Sequence, residues 1–516
     1  MIEFDDSADD PHELNFIRSP PDGADPSPSH QPMDKVTESS RLSANGLERG
    51  RPRAVWRPAT GRAMKQRIVV VGGGTAGLIA AISLRRVVPD ATVTVIRSRA
   101  MGHVMVGEGT FAATPNHLHE VLGIPRRDFC ALVDPTWKLG VRFLWGPRPY
   151  FDYPFAEKFD NQILPRPGEP WGYYCLDDWP GISSVCRDAL RDDDPPHANP
   201  AVSAGLPAAT GYHIENHPFV EYLERHLEQQ GGILVDAKVV AAVRGEQGIA
   251  SLRLDSGQDV EAELFVDASG FSGLLIHQQL GEPWVSLRDH LFCDRAIVGG
   301  WERPEGERIA PYTTAETMEA GWCWRIEHQR VINRGYVYSS AHKGDDEAAA
   351  EMLRANPRLD ESMLRAVPFE SRYIRRAWVG NVVAMGNACG VVEPLEATNI
   401  QVICGHALRM AQVVAAGVDA RAIEEFNRWV VGQWEEIRDF LALHYRFNTR
   451  LSTRFWEMAT RETPLGNLQG YVDRYRAQGP SLWVDEATGT VGMFGHDSYL
   501  AMLLGMRVPW DRCEIQ

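Results

Sequence analysis

Residues 67–97 leave the chain few ways to fold. Ile68–Val71 is a continuous apolar run, the pattern of a strand buried on both faces. Gly72-x-Gly74-Thr75-Ala76-Gly77 follows, then the apolar stretch Leu78–Val87 and a second strand pattern, Thr92–Ile96. This is a strand-helix-strand unit with three glycines in the first turn. The first glycine permits the tight turn, the second lets backbone approach a pyrophosphate, and the third lets helix and strand pack closely. The helix start then offers amide donors and a positive dipole end to a phosphate. In this context G-x-G-x-x-G predicts a dinucleotide site. An acid is expected at the end of the second strand to hold the ribose, but Arg97 stands there.

Two later segments favour FAD over a nicotinamide dinucleotide. Phe265-Val266-Asp267-Ala268-Ser269-Gly270-Phe271 and Val383-Ala384-Met385-Gly386-Asn387-Ala388 each follow an apolar strand and end in a glycine turn. Taken singly, each is also an ordinary strand-to-turn junction. Three strand ends converging on one extended ligand suit FAD, bound non-covalently.

The rest of the chain narrows the class. At about 150 residues per domain, 516 residues make roughly three units, expected here as one bilobed body. A net charge of −16 argues against nucleic acid or an anionic membrane as partner. No stretch approaches the ~20 apolar residues of a membrane span, and no secretory signal is visible, so a cytoplasmic location is expected. Eight scattered cysteines without a C-x-x-C pair read as free thiols, with no metal site. Residues 1–64 are rich in Pro, Ser, Asp and Gly and read as a disordered tail, with Met33 or Met64 as alternative starts. Residues 150–210 read as a loop-rich insertion covering a site. Helices are expected over 217–229, Asp345–Arg354, after Asn399 and through about 422–460, and strands near 233–243, 249–254, 261–266 and Val382–Met385.

Several motifs in order resemble the flavin-dependent tryptophan halogenases. Val106-Gly107-Glu108-Gly109-Thr110 is similar to their V-G-E-[AG]-T flavin loop, and Asp267–Phe271 to their D-x-S-G-F. Trp322-Cys323-Trp324-Arg325-Ile326 is similar to W-x-W-x-I-P, and Glu393-Pro394-Leu395-Glu396-Ala397-Thr398 to P-L-E-S-T. Ile437–Phe440, His444-Tyr445 and Phe455-Trp456 resemble the family's C-terminal helical segment. The resemblance spans roughly 67–510. It implies an α/β fold: a Rossmann-like FAD-binding module of the p-hydroxybenzoate-hydroxylase type, with a mixed sheet and a helical substrate region from about 422, all within 65–516.

The resemblance also implies the chemistry. A separate flavin reductase supplies reduced FAD; oxygen and a halide then give hypohalous acid, which halogenates an indole or another electron-rich aromatic. Cofactor contacts are expected from Gly72, Gly74, Thr75, Ala76, Gly77, Val106, Gly107, Glu108, Thr110, Asp267, Gly386, Asn387, Pro394 and Leu395. Thr398 and Asn399, at a helix start, match the halide site, with Asn399 in place of a glycine. Glu396 matches the catalytic glutamate, Trp322 and Trp324 the pair that keeps substrate from the flavin, and Phe455 and Trp456 the indole sandwich. Each has a plainer reading: a helix start, a capping acid, core aromatics. A homodimer is one open assembly state.

One departure stands out. Counting eight residues from Glu108, where the family has a catalytic lysine, gives Asn116; aligning the Pro-Asn pair instead gives His119. A protonated His119 can donate to hypohalous acid and is taken as the candidate. Lys138 matches another family element and is not expected to substitute. Glu327 also replaces the proline of the tryptophan motif. The sequence therefore leaves open a halogenase with an altered relay, a flavin monooxygenase or dehydrogenase on the same scaffold, and a non-catalytic flavoprotein.

Overall fold

A computed structural model describes residues 2–3, 66–100, 107–155, 210–479 and 492–511. Val106, most of the expected tail and most of the 150–210 insertion lie outside the described residues.

The fold is α/β, built on a six-stranded sheet in the order 378–379, 382–384, 264–267, 67–71, 92–97, 233–236. All neighbours pair in parallel except the first two strands. Ile68, Val70, Val93 and Val266 are buried, as strands covered on both faces require. Helix Thr75–Val87 crosses from the first strand to the second and packs on helices Asn216–Gln229 and Asn399–Ala416. The register sets Asp267 beside both Val71 and Ala384. Three strand ends thus stand side by side, each running into one of the expected glycine turns.

Two expected strands each prove to be two. The expected strand near 233–243 divides into Ile233–Asp236, in the parallel sheet, and Val239–Gly245, in a four-stranded antiparallel sheet that also takes Ile2–Glu3 at its edge. Ala237 N–H still bonds to Arg97 in the first sheet, while the Lys238 carbonyl accepts from Asp255 in the second. The chain changes sheet between them. It returns between Asp259–Glu261 and Leu264–Asp267, where one strand was expected near 261–266. Charged residues alternate with alanine at both crossings (Asp236-Ala237-Lys238 and Glu261-Ala262-Glu263), the same period-2 pattern a continuing half-exposed strand shows, so the sequence does not mark the change of sheet.

A seven-stranded mixed sheet forms the second lobe, in the order 365–368, 295–302, 331–338, 321–327, 312–318, 140–144, 151–154. Its only parallel pair is 312–318 with 140–144. Strand Gly321–Glu327 carries the tryptophan pair near its centre. Helices Ala420–Phe447, Arg454–Glu462, Gln469–Gln478 and His496–Gly505 close this side. The first starts on Asp419, whose carboxylate accepts from Ala422 N–H at 2.7 Å. A buried apolar core runs from Ile68 to Val508 through both lobes.

Among the described residues, Cys130, Cys293, Cys323, Cys389 and Cys404 are free and buried. No helix of those residues is long and apolar enough to cross a membrane, and no group of three His, Cys, Asp or Glu is placed to hold a metal.

Candidate active site

The glycine turn is built for backbone contact. Gly72 has φ +113°, and a Cβ there would overlap the Ala268 carbonyl. A Cβ on Gly77 would overlap the Gly72 carbonyl, so helix and turn pack closer than any side chain allows. Gly74 differs: nothing lies within 4 Å of the Cβ it lacks. Its open side faces a cavity of about 1370 Å³. Helix Thr75–Val87 begins there with no acid in its first turn, leaving its amide donors and dipole available to a phosphate. These features fit the pyrophosphate of a dinucleotide.

The cavity extends from Gly72–Ala76 and Arg97 to Gly107–Gly109 and the turn Pro394, Ala397, Thr398 and Asn399. Val298, Trp324, Ile326, Val337 and Phe369 give it the apolar flank a flat ring system needs. Asn399 Nδ2 lies 3.5 Å from Glu108 Oε2, tying the two walls across the cavity mouth. Burial pushes the Glu108 carboxyl up to about 7. Arg97, the charge reversal on the second strand, is answered from another element: its Nε lies 2.6 Å from Glu224 Oε1 on helix Asn216–Gln229, which also lines the cavity.

The Pro394–Asn399 turn is a partition. Four of its residues face the cavity, whereas Leu395 and Glu396 are buried away from it. Ala397 holds φ +54°, a conformation costing a non-glycine residue about 1–2 kcal/mol, and this reversal sends residues 396 and 398 to opposite sides. Thr398 begins helix Asn399–Ala416 without capping it through its side chain, so free amides remain at the cavity for a small anion.

Glu396 Oε1 lies 2.7 Å from His444 Nε2, and both side chains are fully buried. His444 Nδ1 lies 2.7 Å from the Phe440 carbonyl. A carbonyl only accepts, so Nδ1 carries a hydrogen, and the Nε2–Oε1 contact must hold one shared proton. The pair is either imidazolium with carboxylate or neutral imidazole with carboxylic acid. Glu396 Oε2 has no hydrogen-bond partner. Around the pair stand Phe143, Trp145 and Phe440, with ring centroids 5.3, 6.0 and 4.8 Å from His444. Phe494 packs on Phe440 with centroids 4.0 Å apart and planes tilted by 35°, and Phe111 links Phe494 to Phe155.

Trp322 and Trp324 lie 5.9 Å apart on one face of their strand. Trp324 lines the cavity, seated where a Cβ on Gly335 would overlap its ring. Trp322 donates to Glu393 Oε2 at 2.7 Å, and Tyr445 hydroxyl donates to the same oxygen. Burial raises Glu393 to about 7. Glu327 is buried between Arg325, at 2.5 Å, and Arg303.

Other expected residues sit elsewhere. Asp267 is turned inward: its oxygens accept from Ser269, Leu275 and Ile276, while Ala268–Phe271 face the cavity. Asn387 lines the cavity, and Gly386 packs on Ala76 at φ +61°. Thr110 is buried and does not line the cavity, its hydroxyl accepting from Tyr212 N–H at 2.8 Å. Phe455 borders a separate surface cavity with His342, and Trp456 is core, donating to the Met318 carbonyl at 2.7 Å. Asn116 is exposed. His119 has both ring nitrogens engaged, with the Ile124 carbonyl at 2.9 Å and the Tyr212 hydroxyl at 3.0 Å, and burial lowers its pKa. Sequence reasoning did not single out His444 as the partner of Glu396, nor Glu224 as the partner of Arg97. It also passed over Lys138, which is fully buried beside Gly109 and within the field of Glu396.

Comparison with known proteins agrees with this arrangement. A family model described as tryptophan halogenase matches residues 67–514. Tryptophan 7-halogenase RebH of Lentzea aerocolonigenes is 29% identical over 80% of this chain and 82% of its own. Tryptophan 6-halogenase SttH of Streptomyces toxytricini is 30% identical over 85% and 89%. The crystal structure of MibH, a lathipeptide tryptophan 5-halogenase, superposes with a TM-score of 0.77 at 32% identity, covering 88% of each chain.

Proposed function

Since this chain belongs to the tryptophan halogenase family, we propose that it halogenates an indole, or a similarly electron-rich aromatic, with reduced FAD, oxygen and halide. The observation that carries this reading is the two-sided turn: Pro394, Ala397, Thr398 and Asn399 face a dinucleotide-shaped cavity, while Glu396 faces an aromatic compartment behind it.

FAD would lie with its pyrophosphate over Gly72–Gly77 and its ring between Gly107–Gly109 and the Pro394–Asn399 turn. When bound in reduced form it supplies two electrons to oxygen, and a separate flavin reductase is the fitting source of that reduction. Everything else falls to the chain. Thr398, Asn399 and the free amides of their helix hold the halide by dipole and hydrogen bond. Trp324 and Trp322 shield the aromatic substrate from the ring. Glu396 Oε2 takes the proton that the aromatic carbon loses, while Oε1 stays bonded to His444, so the Glu396–His444 pair carries one positive charge until that proton is passed on. The negative net charge and the absence, among the described residues, of a membrane-crossing helix suit a cytoplasmic enzyme acting on a small molecule.

The test is turnover with bromide. The purified chain, with FAD, a flavin reductase, NADH and oxygen, is given a panel of indoles and phenols, and products are read by mass spectrometry. Bromination is expected. Hydroxylated or dehydrogenated product would instead assign the chain to oxygenase or dehydrogenase chemistry on this scaffold.

A further inference from the structure

Arg97 ends the strand Thr92–Arg97 at the position where a dinucleotide site of this kind keeps an acid for the adenosine ribose. A guanidinium only donates, so it cannot take a hydroxyl proton into a hydrogen bond as that acid would. The stem of Arg97 lies on the glycine turn: a Cβ on Gly73 would stand 2.5 Å from Arg97 Cβ and 2.9 Å from its Cδ. The guanidinium reaches helix Asn216–Gln229, where Nε lies 2.6 Å from Glu224 Oε1. A second carboxylate flanks it, with Asp236 Oδ2 3.7 Å from Nη1. Asp236 also accepts from Arg99 N–H at 3.1 Å, and it does not line the cofactor cavity.

Glu224 does line that cavity, together with Arg97 and with Ala237, Lys238 and Val239 where the chain changes sheet. Its side chain is 18% exposed, and among the described residues only Oε1 is engaged, so Oε2 is left to accept. Glu221, one turn earlier, lines the cavity too, but its side chain is 61% exposed and pairs with His217 in solvent. Arg97 and Glu224 therefore meet a ligand as a neutral pair. That matters beside a pyrophosphate at Gly72–Gly77, which a lone carboxylate would repel. The acid missing from the strand end is thus present in space, delivered by a helix and balanced by the cation that replaced it.

Resting on the FAD reading above, we propose that Glu224 Oε2 accepts from the hydroxyls of the adenosine ribose, and that Arg97 is the residue that positions it. The ribose diol then donates to a half-buried carboxylate, a charge-assisted bond stronger than one to a neutral acceptor. Arg97, already engaged by Glu224 and flanked by Asp236, is not open to a further anion. A 2′-phosphate would meet Glu224 instead and be repelled. The site therefore selects a dinucleotide with a free ribose diol, such as FAD, over one that carries a phosphate there.

The test is a competition titration on the full chain, with displacement of FAD read from its fluorescence, so halogenation does not enter. ADP carries the ribose diol, 2′,3′-dideoxy-ADP lacks it, and adenosine 2′,5′-bisphosphate covers it with a phosphate. For the unaltered chain ADP is expected to displace FAD at least about 10-fold better than either of the others. In Glu224→Met the advantage over the dideoxy compound should shrink to within about threefold. Arg97→Met should lose it likewise, and Arg97→Lys, which keeps the charge, should recover part of it. Should Glu224→Met not fold, the double variant Arg97→Met with Glu224→Met removes both charges together and is read in the same way. Equal displacement by ADP and its dideoxy analogue, a full diol preference in the Glu224 variant, or tighter binding of the bisphosphate would each overturn the assignment. If the unaltered chain binds neither FAD nor ADP, the FAD reading has failed and takes the assignment with it.

Discussion

The cofactor cavity and the compartment behind it are built on opposite principles. The first is a backbone site. Gly72 and Gly77 are glycines because their neighbours leave no room, and Gly74 because a ligand must come close. The second is a side-chain site, in which Lys138, Glu396 and His444 converge from a strand, a turn and a helix more than 300 residues apart at the extremes. A backbone site writes itself into a short contiguous motif. A side-chain site depends on how distant elements pack, and leaves isolated polar residues in apolar surroundings.

The contrast predicts how each side breaks. The largest effect should come from Gly72→Val. Its Cβ would overlap the Ala268 carbonyl at a φ that L residues avoid, so a loss of more than about 4 kcal/mol is expected, seen as insoluble or FAD-free protein. Retained FAD absorbance would show the turn to be more plastic than its geometry implies. Glu396→Gln should act only behind the turn: halogenation falls ~10²–10⁴-fold while FAD affinity holds. Equal losses in both would deny that the turn separates two tasks.

A smaller effect concerns stability. Lys138 drops from 10.5 to about 7 on burial. Above 10.5 the amine is neutral whether folded or unfolded; between 10.5 and about 7 folding must shed its proton; below about 7 the cost is constant. Lys138→Met should therefore gain stability over the parent as pH falls through that window, by about 2–5 kcal/mol, and no further below it. A gain independent of pH, read from melting curves, would place the amine in contact with solvent. The least effect is expected for Asn399→Gly, which removes a 3.5 Å contact to Glu108 and should change FAD affinity by no more than about threefold by titration.

The same contrast explains what the sequence disclosed. The strand-turn-helix at 67–87 and the glycine turns after 267 and 384 rest on local rules, and they lie where those rules put them. The crossings between sheets near 237 and 262 were hidden, because charged residues alternating with alanine there look the same in a strand that continues and in one that changes sheet. Arg97 looked anomalous only because its partner Glu224 lies on a helix 127 residues later. His444 is one polar residue in a buried helical stretch, and only the position of Glu396 across from it makes it a proton partner. Lys138 was set aside because it matched a different family element; nothing local could reveal that its strand ends beside the Pro394–Asn399 turn.

The central claim is that one turn holds cofactor and organic substrate apart. A crystal structure of the chain with FAD, bromide and the indole it halogenates tests this directly, since bromide is located by its anomalous signal. The account predicts the flavin ring between Gly107–Gly109 and Pro394–Asn399, bromide at the Thr398–Asn399 amides, and the indole beyond Trp322 and Trp324 within reach of Glu396 and Lys138. An indole stacked directly on the flavin ring would contradict it.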